Sequence, residues 1–293
     1  MEDVKILSQA LSYIMEFHGK IIVIKYGGNA MKDEETKEKV IRDIALLKYV
    51  GMFPVVVHGG GPAINDLLHR VGKKSEFKMG NRVTDEETIE IVEMVLGGKV
   101  NKEIVSLLNK NGTKAVGITG KDSNMIMAEK KYILDNDEKI DIGFVGQVEK
   151  IDTEIIKNFL DAGIIPVIAP LGTDKDGNTY NINADYVAGE VAGALKASKF
   201  ILMTDTDGIY KDFEDKDTLI NKINMDEATN LIETGIISGG MIPKVEACMS
   251  ALKNGVERVH ILNGEKEHSL LMELFTENGI GTMIVGNEEV KEC

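Results

Sequence analysis

The sequence predicts an α/β fold built on a mainly parallel sheet with helices on both faces. Two observations predict it. Six short runs rich in Val and Ile recur along the chain, at Ile21 to Ile24, Pro54 to Val57, Ala115 to Ile118, Ile164 to Ile168, Phe200 to Met203 and Arg258 to Leu262. Segments with helical periodicity lie between them, and continuously apolar strands alternating with helices belong to sheets buried on both sides.

Before the first run, Ile6, Leu7, Ala10, Leu11, Ile14 and Met15 fall at helical spacing. A single apolar stripe on a terminal helix needs a surface to cover, either the chain's own body or a second subunit. After the first run, Glu34 to Tyr49 places Val40, Ile44 and Leu47 at helical intervals. Thr84-Asp85-Glu86-Glu87 reads as a capping box, with Glu87 returning a bond to the Thr84 amide. Around 125–150 the texture changes, because Asp135-Asn136-Asp137 separates two strand-like runs, Met125 to Glu129 and Phe144 to Val148. That pattern predicts a β-hairpin excursion.

The 293 residues, 43% of them hydrophobic, can fill a sizeable core as one large domain or two lobes. Lys and Arg total 34 against 48 Asp and Glu, for a net charge of -14. Broad adhesion to nucleic acid or an anionic membrane is therefore not expected, and an acidic ligand must meet a local cluster of cations. Cys248 and Cys293 lack the spacing of a zinc site or disulfide framework, which fits a reducing cytoplasm. The apolar runs are far shorter than a membrane span and the acidic N-terminus opens no secretory signal, so a cytosolic location is expected.

Two strands run into glycine turns, Lys25-Tyr26-Gly27-Gly28-Asn29 and His58-Gly59-Gly60-Gly61-Pro62. At the carboxyl ends of strands in an open α/β sheet, such turns let a backbone approach an anion and present amide groups to it. One isolated Gly-Gly is an ordinary tight turn, whereas two, one beside a lysine, favour phosphate. No Gly-x-x-x-x-Gly-Lys-Ser/Thr occurs, and Ile64 breaks the Gly-x-Gly-x-x-Gly pattern. Ile41-Arg42-Asp43 lacks the remaining parts of a protein-kinase catalytic loop. Three later segments add polar groups: Tyr180-Asn181-Ile182-Asn183-Ala184-Asp185, Thr204-Asp205-Thr206-Asp207-Gly208 and Gly239-Gly240-Met241-Ile242-Pro243-Lys244. Taken singly, Asn181 or Asn183 as a helix cap and Asp205 and Asp207 as turn formers are equally good readings.

In this order, Lys25-Tyr26-Gly27-Gly28-Asn29-Ala30-Met31, Val57-His58-Gly59-Gly60-Gly61-Pro62, Asn81-Arg82-Val83-Thr84, Asn181-Ile182-Asn183-Ala184-Asp185 and Gly240-Met241-Ile242-Pro243-Lys244 resemble the amino acid kinase family over nearly the whole chain. The resemblance implies an αβα sandwich. An N-terminal helix (1–18) would serve oligomer contact and regulation, one lobe (19–183) the acceptor, and a second (184–293) ATP. It implies ATP-dependent phosphorylation of the side-chain carboxylate of N-acetyl-L-glutamate, in arginine biosynthesis. Lys25 and Lys244 would clamp the transferring phosphoryl, with Asp185 between them and Asp205 orienting Lys244. Gly27, Gly28, Asp205, Gly240 and Met241 would take ATP, and Gly60, Gly61, Arg82, Asn181 and Asn183 the acceptor. Mg2+ would arrive on the nucleotide phosphates without a protein ligand. The helical extension resembles that of arginine-inhibited members, which assemble dimers into hexamers. His268, Glu273, Gly279 and Gly281 then become candidates for binding L-arginine as effector. Related kinases of aspartate, carbamate or nucleotides, and a catalytically silent arginine sensor, are the competing readings.

Overall fold

A computed structural model of the chain describes residues 2–31, 33–135, 138–277 and 279–287. The first helix, Glu2–Phe17, leads into strands β1 (Ile21–Tyr26) and β2 (Phe53–His58). A short pair follows, β3 (Phe77–Lys78) and β4 (Asn81–Arg82), then β5 (Ala115–Thr119), β6 (Ile126–Asp135) and β7 (Glu138–Ile151). The remainder are β8 (Ile165–Ala169), β9 (Leu171–Thr173), β10 (Thr179–Asn181), β11 (Lys199–Thr204), β12 (Lys222–Asn224), β13 (Arg258–Asn263) and β14 (Thr282–Val285).

Eight of these form one sheet in the order β12-β14-β13-β11-β1-β2-β8-β5. Neighbours run parallel except β13 and β14. The six runs read from the sequence are all strands of this sheet. Because side chains alternate across a strand, β1 divides its residues between two cores. Val23 packs with Val57, Phe200 and Leu202 under helices Ala184–Leu195 and Ile242–Lys253. Ile22, Ile24 and Tyr26 pack with Ile41, Ile44 and Leu47 of helix Glu34–Tyr49 on the opposite face.

The predicted hairpin is β6 paired antiparallel with β7, longer than the two runs suggested; Asn136 and Asp137 lie outside the described residues. It also acquires partners, since β9 and β10 close it into a four-stranded barrel. The capping box at Thr84 is corrected. Asp85 is the cap, its carboxylate accepting from the Thr88 amide at 2.8 Å, because the Thr84 amide is already engaged by Ile142 O at 2.9 Å. Glu87 pairs with Lys73 instead.

On the N-terminal helix, Phe17 is buried in the core while Leu11 and Met15 remain 54% and 71% exposed. Of the stripe, Ala10 and Ile14 are partly covered by the body and Leu11 and Met15 are not; the side chains of Ile6 and Leu7 lie outside the described ones. Cys248 is a buried free thiol, and Cys293 lies outside the described residues. Among the described residues no helix is long and apolar enough to cross a membrane.

Beneath the second glycine turn, the fully buried His58 has its tautomer set by its neighbours. Nδ1–H donates to Gly59 O at 2.8 Å, and Asn101 Nδ2 donates to Nε2 at 3.2 Å while also reaching Val167 O at 2.9 Å. Burial, with Lys102 adding to it against the Gly59 bond, pushes the imidazole down to about 4. Below pH 6.5 the unfolded chain takes up a proton that the folded one refuses, so this residue's contribution to stability is lost as pH falls from 6.5 toward 4. The expected loss is about 3 kcal/mol. Denaturant titrations at pH 7 and pH 4 should show it, with the difference reduced in His58→Gln.

Candidate active site

Lys25 stands near the carboxyl end of β1, on the face that carries helices Ala184–Leu195 and Ile242–Lys253. Those helices approach closely because their contact is lined by small residues. A Cβ added at Gly189 would lie 2.7 Å from Ala247 O, and one at Gly193 would lie 2.5 Å from Asn254 Cβ. The close approach brings Asp185, in the first turn of one helix, to Lys244, in the first turn of the other. Lys244 Nζ donates to Asp185 Oδ2 at 2.9 Å, and Lys25 Nζ lies 2.9 Å from Oδ1. Lys25 makes this contact as an ion pair without the alignment of a hydrogen bond.

Burial alone would raise the Asp185 carboxyl, but the charges of Lys25 and Lys244 outweigh it and hold the group at about 2. The helix N-terminus favours the same anion. Asp185 is therefore a permanent carboxylate bridging two ammonium groups, with no proton to exchange at neutral pH.

Since β1 and β2 are neighbours in register, Tyr26 beside His58, their glycine turns abut, and the Gly59 amide donates to Tyr26 O at 2.8 Å. Gly28 has φ of 72°, a backbone conformation that favours glycine. Gly27 is required for another reason: its Cβ would lie 3.0 Å from Lys25 Nζ. Gly27→Ala is expected to displace the ammonium by a few tenths of an ångström and lower kcat about ten-fold with the KM values unchanged. Steady-state kinetics checks it.

Two cavities adjoin the bridge. One, of about 480 Å³, is lined by Lys25, Gly28, Asp205, Gly240, Met241 and Lys244. The other, of about 220 Å³, is lined by Gly60, Gly61, Arg82, Asn181, Asn183 and Ala184. Every residue expected at the two substrates, apart from Gly27 beside Lys25, lines one of these recesses. Asp205 does not orient Lys244 as expected; it accepts from the Thr204 hydroxyl at 3.0 Å, and Lys244 pairs with Asp185 alone among the described residues. Asn183 does cap its helix, its side chain accepting from the Asp185 amide at 2.8 Å, which leaves its NH2 group for a ligand.

Arg82, only 7% exposed, lies over the Phe77 ring at 4.7 Å and donates to the Ser75 hydroxyl. Among the described residues it has no carboxylate partner. A buried guanidinium without a counterion is a site prepared for an anion.

The candidate effector residues do not all meet. Glu273 is buried, accepting from His260 Nδ1 at 2.6 Å and from the amides of Ile280 and Gly281 at 2.7 and 3.0 Å. Gly279 adjoins it, since a Cβ there would lie 2.9 Å from Glu273 Oε2. His268 turns elsewhere and bonds Asp43 at 2.8 Å. Sequence reasoning missed the links from Glu273 toward the N-terminal helix. Lys199 Nζ donates to His260 Nε2 at 3.2 Å and sits 4.6 Å from the Phe17 ring, pushed down to about 8 by burial.

The sequence model of the amino acid kinase family matches residues 20–263, and the chain belongs to that family. Within it, the acetylglutamate kinase of Desulfitobacterium hafniense is 54% identical over 288 residues, covering 97% of both chains. That of Methanocaldococcus jannaschii is 53% identical over 289 residues, covering 97% of this chain and 96% of its own. Among solved structures, the N-acetylglutamate synthase of Neisseria gonorrhoeae complexed with coenzyme A and N-acetyl-glutamate matches at a TM-score of 0.85 and 31% identity, over 97% of this chain and 63% of the synthase. A carbamate kinase of Giardia lamblia, 16% identical with a TM-score of 0.66 over 92% of this chain and 99% of its own, shares the fold.

Proposed function

We propose that the chain transfers the γ-phosphoryl group of ATP to the side-chain carboxylate of N-acetyl-L-glutamate, giving N-acetyl-L-glutamyl 5-phosphate and ADP. The observation that carries it is the convergence of Lys25 and Lys244 on one carboxylate beside two cavities. The names of the relatives support the choice of acceptor.

The acceptor carboxylate is already a nucleophile, so the chemistry needs position and charge rather than a general base. A carboxylate oxygen forms the new bond to phosphorus as the bond from phosphorus to the bridging oxygen breaks, and ADP departs with that electron pair. Lys25 and Lys244 neutralise the phosphoryl oxygens from opposite sides, while Asp185 fixes their spacing. The amides at Gly28, Gly60 and Gly61 supply further donors. Arg82 grips the α-carboxylate bidentately, and Asn181 and Asn183 bond the acetamide and carboxylate ends. Gly27, Gly28, Asp205, Gly240 and Met241 surround the nucleotide. Mg2+ carried by the nucleotide would add charge neutralisation there, with Asp185 committed to two lysines and Asp207 to Asn263, Lys266 and Tyr210.

On this reading 19–183 holds the acceptor and 184–293 the nucleotide, in the cytoplasm. L-Arginine acts as feedback inhibitor between the N-terminal helix and the later lobe of a hexamer built from dimers. The group around Glu273, linked through His260 and Lys199 to Phe17, supports that placement, as does the related synthase, which has been solved complexed with coenzyme A and L-arginine. The test is an ATP-dependent hydroxamate assay with N-acetylglutamate, glutamate and aspartate in parallel, with and without arginine. Turnover of N-acetylglutamate alone is expected. Activity confined to glutamate or aspartate would overturn the acceptor, and rates indifferent to millimolar arginine would overturn the regulation.

A further inference from the structure

Beyond Arg82, a second cation lines a recess next to the one that holds it. The β6–β7 ladder is interrupted between Lys130 and Tyr132, and Lys131 falls at that irregularity, so the two neighbouring lysines find different partners. Lys130 pairs with Asp141 at 2.7 Å. Lys131 places its Nζ 3.3 Å from Asn81 Oδ1 and 5.3 Å from the Tyr186 ring. It lines a recess of about 340 Å³ together with Asn81, Ile182, Asn183 and Tyr186. Asn81, Ile182 and Asn183 also line the cavity that holds Arg82, so the two recesses share a wall.

Two acids stand near this ammonium without pairing with it: Glu190, which lines the same recess and accepts from the Ser250 hydroxyl at 2.7 Å, and Glu246. Among the described residues Lys131 forms no ion pair; Glu246, which accepts from the Tyr186 hydroxyl at 2.6 Å, acts on it only through space. Lys131 is half-buried, and burial lowers its pKa. A partly desolvated cation held by one amide oxygen and one ring, in a chain of net charge -14, is unusual as a purely structural element. A dianionic acceptor supplies the missing counter-charge.

We propose that Lys131 is an acceptor-binding residue, meeting the acidic substrate at the mouth of its pocket and holding it toward Arg82. It takes no part in the ion pairs of the phosphoryl clamp, so it contributes equally to ground state and transition state, which raises affinity without changing the chemical step. The proposal rests on the acceptor assigned above.

The experiment is steady-state kinetics on the full chain with N-acetylglutamate and ATP varied separately, for wild type, Lys131→Gln and Lys131→Arg, at low and moderate salt. Lys131→Gln is expected to raise the acceptor KM about ten-fold, leaving kcat and the ATP KM within about two-fold. Lys131→Arg should return the acceptor KM close to wild type, and added salt should raise the wild-type KM more than that of Lys131→Gln. An unchanged acceptor KM in Lys131→Gln overturns the role, and so does a fall in kcat with both KM values shifted together, or an arginine variant no better than the glutamine one. These outcomes are read with an active wild type. A wild type that leaves N-acetylglutamate untouched defeats the acceptor assignment itself, and this role with it.

Discussion

Lys25→Met is expected to lower kcat by about 10²–10³-fold while leaving the fold intact. A single charge contact at about 4 Å and an effective dielectric near 20 has a Coulomb term of roughly 4 kcal/mol before desolvation is subtracted. Each 1.36 kcal/mol of barrier corresponds to about a factor of ten. Methionine keeps the apolar stem on the helix-covered face of β1, and Asp185 retains Lys244 as a partner, so no buried carboxylate is orphaned. Circular dichroism should match wild type, and a coupled ADP-release assay should show the loss. A decrease of less than ten-fold would remove Lys25 from the phosphoryl clamp.

Asp185→Asn is expected to lower kcat about 10²-fold and also to destabilise the protein by about 3 kcal/mol. The amide preserves shape but removes the negative charge that two ammonium groups share, leaving them close together and partly buried. ATP restores anionic charge at that point, so the variant should gain more thermal stability from saturating nucleotide than wild type does. The acid limb gives a second signature. The folded carboxyl is held at about 2, below its usual 3.8, so its stabilisation is complete above pH 3.8 and is lost as pH falls from there toward 2. Wild type should carry that slope in denaturant titrations and Asp185→Asn should lack it. Equal nucleotide stabilisation in both proteins would contradict the shared-charge account.

The strands of the main sheet were legible because Val- and Ile-rich runs buried on both faces leave a continuous apolar signal, and both glycine turns were legible because they sit where those runs stop. The barrel was legible only as its hairpin. β9 and β10 are three residues each, too short for any periodicity to emerge. Thr84 and Asp85 both have capping chemistry, and the choice between them is made by a partner on β7, distant in the chain. Lys25, Lys244 and Asp185 could be singled out from the family's motifs, but their shared geometry depends on glycine-lined helix packing that no local pattern announces. Lys131 carries no motif at all, and what separates it from Lys130 is an irregularity in the β6–β7 ladder that no local pattern announces. Glu273 was visible as a residue, whereas its attachment to His260 and Lys199 arises from strands that meet only in the folded sheet.

The neighbour relation of β1 and β11 has a kinetic consequence. Most of the chain's length lies between these two strands, yet they sit side by side in the middle of the sheet. Parallel pairing across so large a loop must recover its closure entropy before it gains anything, which makes it slow relative to the helices and the local hairpin. The same closure brings Lys25 to Asp185. A refolding chain will thus regain most of its secondary structure early and its capacity for turnover only when the middle of the sheet zips shut.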